Sequence, residues 1–215
     1  MTGNSTIRTL TIIITLVAFG AGIGVFSARQ KQPVLAPQIQ GMLWPNPKIL
    51  QDFSTTDQNE QEFKLSDLRG KWSFLFFGYT NCPDICPITL AVFKDVYQKL
   101  QEQKRSNDVQ MIFVSVDPER DSSQQLKDYV AYFNNNFIGL GGSLEQISTL
   151  TKQMGIAYYH EEASPEGDYL VGHSASVFLV DPEGRVITIM SAPHTAEEII
   201  EQFSEIRAFI SQQTS

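Results

Sequence analysis

Lys71 to Tyr79 reads KWSFLFFGY, an unbroken aromatic and aliphatic run bounded by Gly70 on one side and TNCP on the other. A strand with one wet face alternates in polarity, whereas a strand covered on both faces does not, so this run predicts a central strand. Behind Pro87, apolar residues recur at Leu90, Phe93, Val96, Tyr97 and Leu100, the spacing of one helix face, with the proline suited to the first helical position. VQMIFVSVD, Val109 to Asp117, predicts a second buried strand, and Ser122 with Gln125 forms a capping-box pattern opening a helix toward Phe133.

A second capping box, Ser143 with Gln146, opens a helix that Gly155 stops. SASVFLVD and RVITIM flank the turn PEG as an antiparallel hairpin. Thr195 with Glu198 caps a last helix whose Ile199, Phe203, Ile206 and Ile210 share a face. The predicted order is β-α-β-α-α-β-β-α. A parallel β-α-β unit followed by a β-β-α unit, with helices covering a mixed sheet, is a thioredoxin-like α/β arrangement.

The amino terminus follows a different pattern. No residue from Thr9 to Ala28 is charged, and roughly 20 helical residues at about 1.5 Å each span a hydrocarbon core of about 30 Å. A cleaved signal peptide would carry an apolar stretch of about 7–15 residues and an A-x-A-like site, yet Phe26 occupies the position that needs a small residue before Ala28. The segment is therefore expected to be an uncleaved transmembrane anchor. Arg8 with the terminal amine balances Arg29 and Lys31, so charge alone leaves its orientation undecided. Pro33, Pro37, Pro45 and Pro47 then give an extended tether. The expected organisation is a short tail over 1–8, an anchor over 9–28, a tether over 29–47, a thioredoxin-like domain over 48–211 and a tail over 212–215.

Composition narrows the function. The 215 residues, 42% of them hydrophobic, suffice for one domain with a full core. Two cysteines are too few to replace such a core. Beyond Lys31, 24 Asp and Glu face the 13 Lys and Arg that remain of 16 once Arg8, Arg29 and Lys31 are set aside, a net charge of −11. That balance argues against nucleic acid as a partner and fits either colloidal solubility, the favoured reading, or steering toward a basic partner.

Both cysteines fall in FFGYTNCPDICPIT, at the junction of the first core strand with its helix. A residue before proline is disfavoured in helical geometry, so Cys82 and Cys86, each followed by proline, are expected to project from the loop. The helix amino terminus favours thiolates, whose pKa there can fall from about 8.5 toward roughly 3.5–7.5. Three intervening residues make a larger ring than C-x-x-C and leave room for an ion, without excluding a disulfide. An inert staple over so short a loop contributes only about 2–3 kcal/mol. The peroxidase pattern P-x-x-x-T-x-x-C is not met, because Thr80 is two residues before Cys82 and Leu75 stands where the proline would be.

A metal held by two thiolates needs a third group, and the chain has three histidines. His173, in YLVGHSASVFLVD, precedes a predicted core strand and is the best placed as a loop residue; His160 and His194 read as solvent-exposed. Two thiolates and an imidazole suit copper as Cu(I) or Cu(II), whereas zinc would want a fourth ligand. Asp84, between the cysteines, offers a weak ligand but more commonly such an aspartate bonds nearby amides. SVDPERD, Ser115 to Asp121, is ordinary strand-to-loop chemistry or, by its position beside the site, a docking surface.

KWSFLFFGYTNCPDICPITL, VSVDPERD and YLVGHSASVFLVDPEGRV, in that order behind an amino-terminal anchor, resemble the SCO/SenC copper-chaperone family. The resemblance covers nearly all of Leu50 to Ile210. It implies that Cys82, Cys86 and His173 are copper ligands and that the thioredoxin-like domain faces the bacterial periplasm or the mitochondrial intermembrane space. With the anchor beginning near the tenth residue, no transit peptide is expected ahead of it, and the domain is expected on the periplasmic side of a bacterial inner membrane, with the tail over 1–8 cytoplasmic. The implied task is delivery of copper to the binuclear site of cytochrome c oxidase subunit II or another copper-site oxidase subunit, with other copper chaperones as further partners. The alternative is a thiol-disulfide reductase of that site's cysteines, with Cys82 and Cys86 as the redox pair.

Overall fold

The computed structural model describes residues 43–44, 46–162, 164 and 169–213. The expected amino-terminal tail, the anchor and most of the tether lie outside the described residues. Among the described residues no helix is long and apolar enough to cross a membrane.

The aromatic run becomes β4 (Trp72–Gly78), buried along its whole length. It pairs in parallel with β5 (Val109–Ser115), from Trp72 opposite Val109 to Gly78 opposite Ser115, and antiparallel with β9 (Val177–Val180). Flanked on both edges and covered on both faces, β4 has no wet positions, which is why its sequence does not alternate. β5 continues in parallel to β6 (Ile138–Gly141), and β9 turns through Pro182–Gly184 into β10 (Arg185–Met190).

Three short strands, β1 (Lys48–Ile49), β2 (Ser54–Asp57) and β3 (Glu62–Lys64), extend the edges, giving one eight-stranded mixed sheet in the order β1-β10-β9-β4-β5-β6-β2-β3. The sequence pattern assigns neither these three strands nor β6. They are two to four residues long, and their stability comes from the neighbour they pair with. The Trp44 amide donates to the Ile187 carbonyl at 2.9 Å, so the domain reaches a few residues into the segment expected to be tether.

The helices are α1 (Leu65–Leu68), α2 (Ile85–Glu102), α3 (Ser123–Phe133), α4 (Leu144–Met154) and α5 (Ala196–Gln213). The capping bonds form as the sequence predicts: Ser122 accepts from the Gln125 amide, Ser143 from the Gln146 amide and Thr195 from the Glu198 amide. Gly155 ends α4 in the left-handed region at φ 69°, where a side chain would be strained. On one face of the sheet Phe74 meets Phe93 of α2 and Phe203 of α5, with ring centroids 6.3 and 5.2 Å apart, while Phe113 meets Tyr129 of α3 at 5.3 Å. This is the thioredoxin-like architecture. Its parallel strands β4 and β5 end side by side at Gly78 and Ser115, the end of an α/β sheet where sites are built.

Candidate metal centre

Beyond Gly78 the chain passes through Tyr79 and Thr80 into a turn in which the Cys82 amide donates to the Tyr79 carbonyl at 3.2 Å. α2 then begins at Ile85, so Cys86 lies in its first turn and Pro87 is its third residue, two residues later in the helix than the sequence pattern suggests. First-turn amides have no carbonyl four residues back, so a proline there removes no bond and the helix can start ahead of it. Cys82 therefore projects from the loop, while Cys86 projects from the helix.

His173 is the last residue of β8 (Val171–His173), which pairs antiparallel with β7 (Tyr158–His160), with Tyr158 opposite His173. It is thus a strand residue rather than a loop residue. These strands are three residues each and give almost no periodic signal.

The structure brings Cys82, Cys86 and His173 together. One donor atom from each lies within 4.8 Å of the others, and the Cys86 Sγ to His173 Nε2 separation is 3.4 Å. The orientation of the ring follows from its other nitrogen: Nδ1 is 2.9 Å from the Val171 carbonyl, which can only accept, so Nδ1 carries the proton and Nε2 presents its lone pair to the sulfurs. Tyr79 packs edge-on against the imidazole at 5.7 Å, and Phe76 lies at 6.2 Å.

The two thiols are not equivalent. Cys86 donates its proton to Cys82, and this hydrogen bond, with the Asp84 and Cys86 amides of the helix amino terminus, brings the Cys82 pKa from 9.0 to about 5 against the opposing effect of burial. Cys86, fully buried, is driven well up by the same shared proton and by desolvation. The pair is one thiolate and one thiol near neutral pH, whereas the helix terminus alone would lower both. Alkylation of Cys82 by iodoacetamide is accordingly expected to hold its plateau down to pH 6 and fall by half near pH 5, with Cys86 unreactive over that range. Peptide mapping that finds half-maximal modification of Cys82 near pH 9 would contradict this asymmetry.

Several residues that sequence reasoning leaves out make the geometry. A Cβ at position 78 would lie 2.6 Å from Cys86 Sγ and 2.9 Å from the Phe113 ring, so only glycine lets the sulfur sit against the end of β4. A glycine closing an otherwise bulky strand is the signal that could have found it. Asp121 is 4% exposed and accepts from the Thr80 amide at 3.0 Å, the Thr80 hydroxyl at 2.6 Å and the Ser115 hydroxyl at 2.6 Å, bracing the cysteine turn against β5. Burial keeps its pKa above the ordinary carboxylate value even so. With Asp117 also buried, SVDPERD turns both aspartates inward, where they serve as an internal brace, and leaves Glu119 exposed.

Asp84 does not join the ligand cluster; its amide, not its carboxylate, reaches Cys82. His160 is 41% exposed on β7 and packs on Tyr169. His194 is half-buried rather than solvent-exposed and donates from Nε2 to the Ala175 carbonyl at 2.8 Å, just past His173. Neither belongs to the cluster.

A thioredoxin-like domain whose central strand ends in two thiols and a convergent imidazole defines a class of protein built for soft-metal binding or thiol exchange. The chain belongs to the SCO1/SenC family, whose family model matches residues 43–208. Among its relatives is the SCO2-like protein of Rickettsia felis, 31% identical over 92% of this chain and 96% of that protein. Among solved structures, Arabidopsis thaliana ScoI with copper bound superposes with a TM-score of 0.69 at 35% identity, covering 74% of this chain and 99% of that one. BsSco, a member of the Sco family of cytochrome c oxidase assembly proteins in which a disulfide switch was identified, matches with a TM-score of 0.59 at 31% identity over 77% and 98% of the two chains.

Proposed function

We propose that this chain is a copper metallochaperone in which Cys82, Cys86 and His173 hold the ion as cargo for the binuclear site of cytochrome c oxidase subunit II. The observation that carries the reading is the convergence of three donors within 4.8 Å, with Nε2 of His173 already freed for coordination by the Nδ1 bond to Val171. Thiolates are soft ligands suited to Cu(I) and imidazole supports Cu(II), whereas a structural zinc would take four ligands and this cluster offers three. Loading the ion displaces the proton that the two sulfurs share, so affinity falls as pH drops. In this reading the segment over 9–28 anchors the protein in a bacterial inner membrane, and the tether lets the acidic domain reach its membrane-bound partner on the periplasmic side.

A second reading has its own support in the asymmetric pair. The Cys82 thiolate would attack a disulfide of the target, forming a mixed disulfide and releasing one target thiolate. Cys86 would then lose its proton and attack the Cys82 sulfur, closing the Cys82–Cys86 disulfide and releasing the second target thiolate. That cycle reduces the target by two electrons and uses no imidazole ligand. Oxidase assembly in a deletion strain carrying His173→Ala separates the two: copper delivery predicts loss of assembled oxidase at normal protein level, and full restoration would favour the reductase.

A further inference from the structure

We propose that Arg120 and Tyr169 are positioning residues that fix His173 opposite the cysteines, an inference that rests on the metal-site reading of the three donors. β7 and β8 form a separate two-stranded sheet, so no backbone ladder of the eight-stranded sheet holds the imidazole in register with the cysteine turn at the end of β4. Side chains supply that link: Tyr79 accepts from the Val171 backbone and packs on the imidazole at 5.7 Å, and a second set meets at Tyr169, two residues before β8. Its hydroxyl donates to Asp117 Oδ1 at 2.8 Å, its carbonyl accepts from Arg120 Nη1 at 3.0 Å, and its ring lies 3.5 Å from the Arg120 guanidinium carbon. Arg120 Nε in turn donates to Asp117 Oδ2 at 2.5 Å, and Asp117 is fully buried. On the opposite strand, His160 packs edge-on against Tyr169 at 5.0 Å, with Nε2 3.9 Å from Asp117.

The same stretch holds the other half of the site. Asp121, one residue after Arg120, grips the amide and hydroxyl of Thr80, two residues before Cys82. Ser115 to Asp121 thus joins the thiolate turn and the imidazole hairpin to one rigid segment at the end of β5. Arg120 suits the task because a planar guanidinium can stack on a ring while donating along its edge to a carboxylate and a carbonyl, which lysine cannot reproduce.

The test is a mutant cycle read by Cu(I) competition with a chromogenic chelator on the reduced full-length protein. Arg120→Lys is expected to weaken Cu(I) binding about tenfold, in the range seen when an outer partner of a metal ligand is removed. Tyr169→Phe, which deletes only a hydroxyl and keeps the fold, is expected to weaken it about threefold, within that same logic. Neither change is expected to weaken binding further in a His173→Ala background, because both act through that imidazole. The alkylation rate of Cys82 in the metal-free protein is expected to be unchanged. Wild-type Cu(I) affinity in both single variants, or an equal loss with and without His173, would overturn the proposal. Wild-type affinity in His173→Ala alone would remove the ligand reading itself, and the proposal with it.

Discussion

His173→Ala is expected to leave a reduced, dialysed sample without stoichiometric copper, with affinity lowered by more than about 100-fold, beyond the usual cost of losing an outer hydrogen-bond partner. The reason is geometric. Nε2 stands 3.4 Å from Cys86 Sγ with its lone pair free, and truncation leaves two sulfurs whose remaining neighbours are amides and aromatic rings rather than a third donor. The fold should persist, because the imidazole is only half-buried and the hairpin keeps the Tyr169 bond to Asp117; the change in stability is expected to stay within about 1 kcal/mol. An unaltered copper-to-protein ratio in the variant contradicts the ligand set.

Gly78→Ala is expected to damage both fold and site. The added methyl would meet Cys86 Sγ at 2.6 Å and the Phe113 ring at 2.9 Å, and neither neighbour can retreat into a packed core. Overpacking of this kind costs about 1–3 kcal/mol, which for a domain of this size lowers Tm by roughly 3–10 °C. The displaced sulfur should also weaken copper binding and loosen the hydrogen bond that keeps Cys82 ionised, raising the pH at which Cys82 becomes reactive. A thermal melt and a Cys82 alkylation profile both matching wild type would refute the close-approach argument.

The parts of this molecule legible in its sequence are those whose stability is local or whose burial is complete. β4 and β5 announce themselves because strands covered on both faces do not alternate between apolar and exposed polar positions, and the capping boxes at Ser122 and Ser143 because their bonds close within four residues. The strands β1 to β3, β6, β7 and β8 do not, since segments of two to four residues owe their form to distant partners. The start of α2 at Ile85 was hidden because the preference of a residue preceding proline competes with first-turn tolerance of the proline itself, and only the packed structure decides between them.

The site divides in the same way. Residue types and order, with the family resemblance, single out Cys82, Cys86 and His173, but three features of their environment depend on folded geometry that residue order does not specify. Which nitrogen of His173 is free is set by the Val171 carbonyl. Which sulfur is ionised is set by the hydrogen bond between the two cysteines, a feature that the spacing of three residues does not encode. The bracing by Asp117 and Asp121 is invisible in a charged loop, yet both are buried and satisfied by Tyr169, Arg120, Thr80 and Ser115.

Copper K-edge X-ray absorption on the loaded protein tests the shared-ion claim most directly, because it reads the neighbours of the ion rather than the consequences of losing one. Two sulfur scatterers and one imidazole nitrogen are expected, with the nitrogen shell lost when His173 is replaced. A shell of nitrogen and oxygen alone, or one sulfur with the imidazole signal unchanged in the His173 variant, would contradict it.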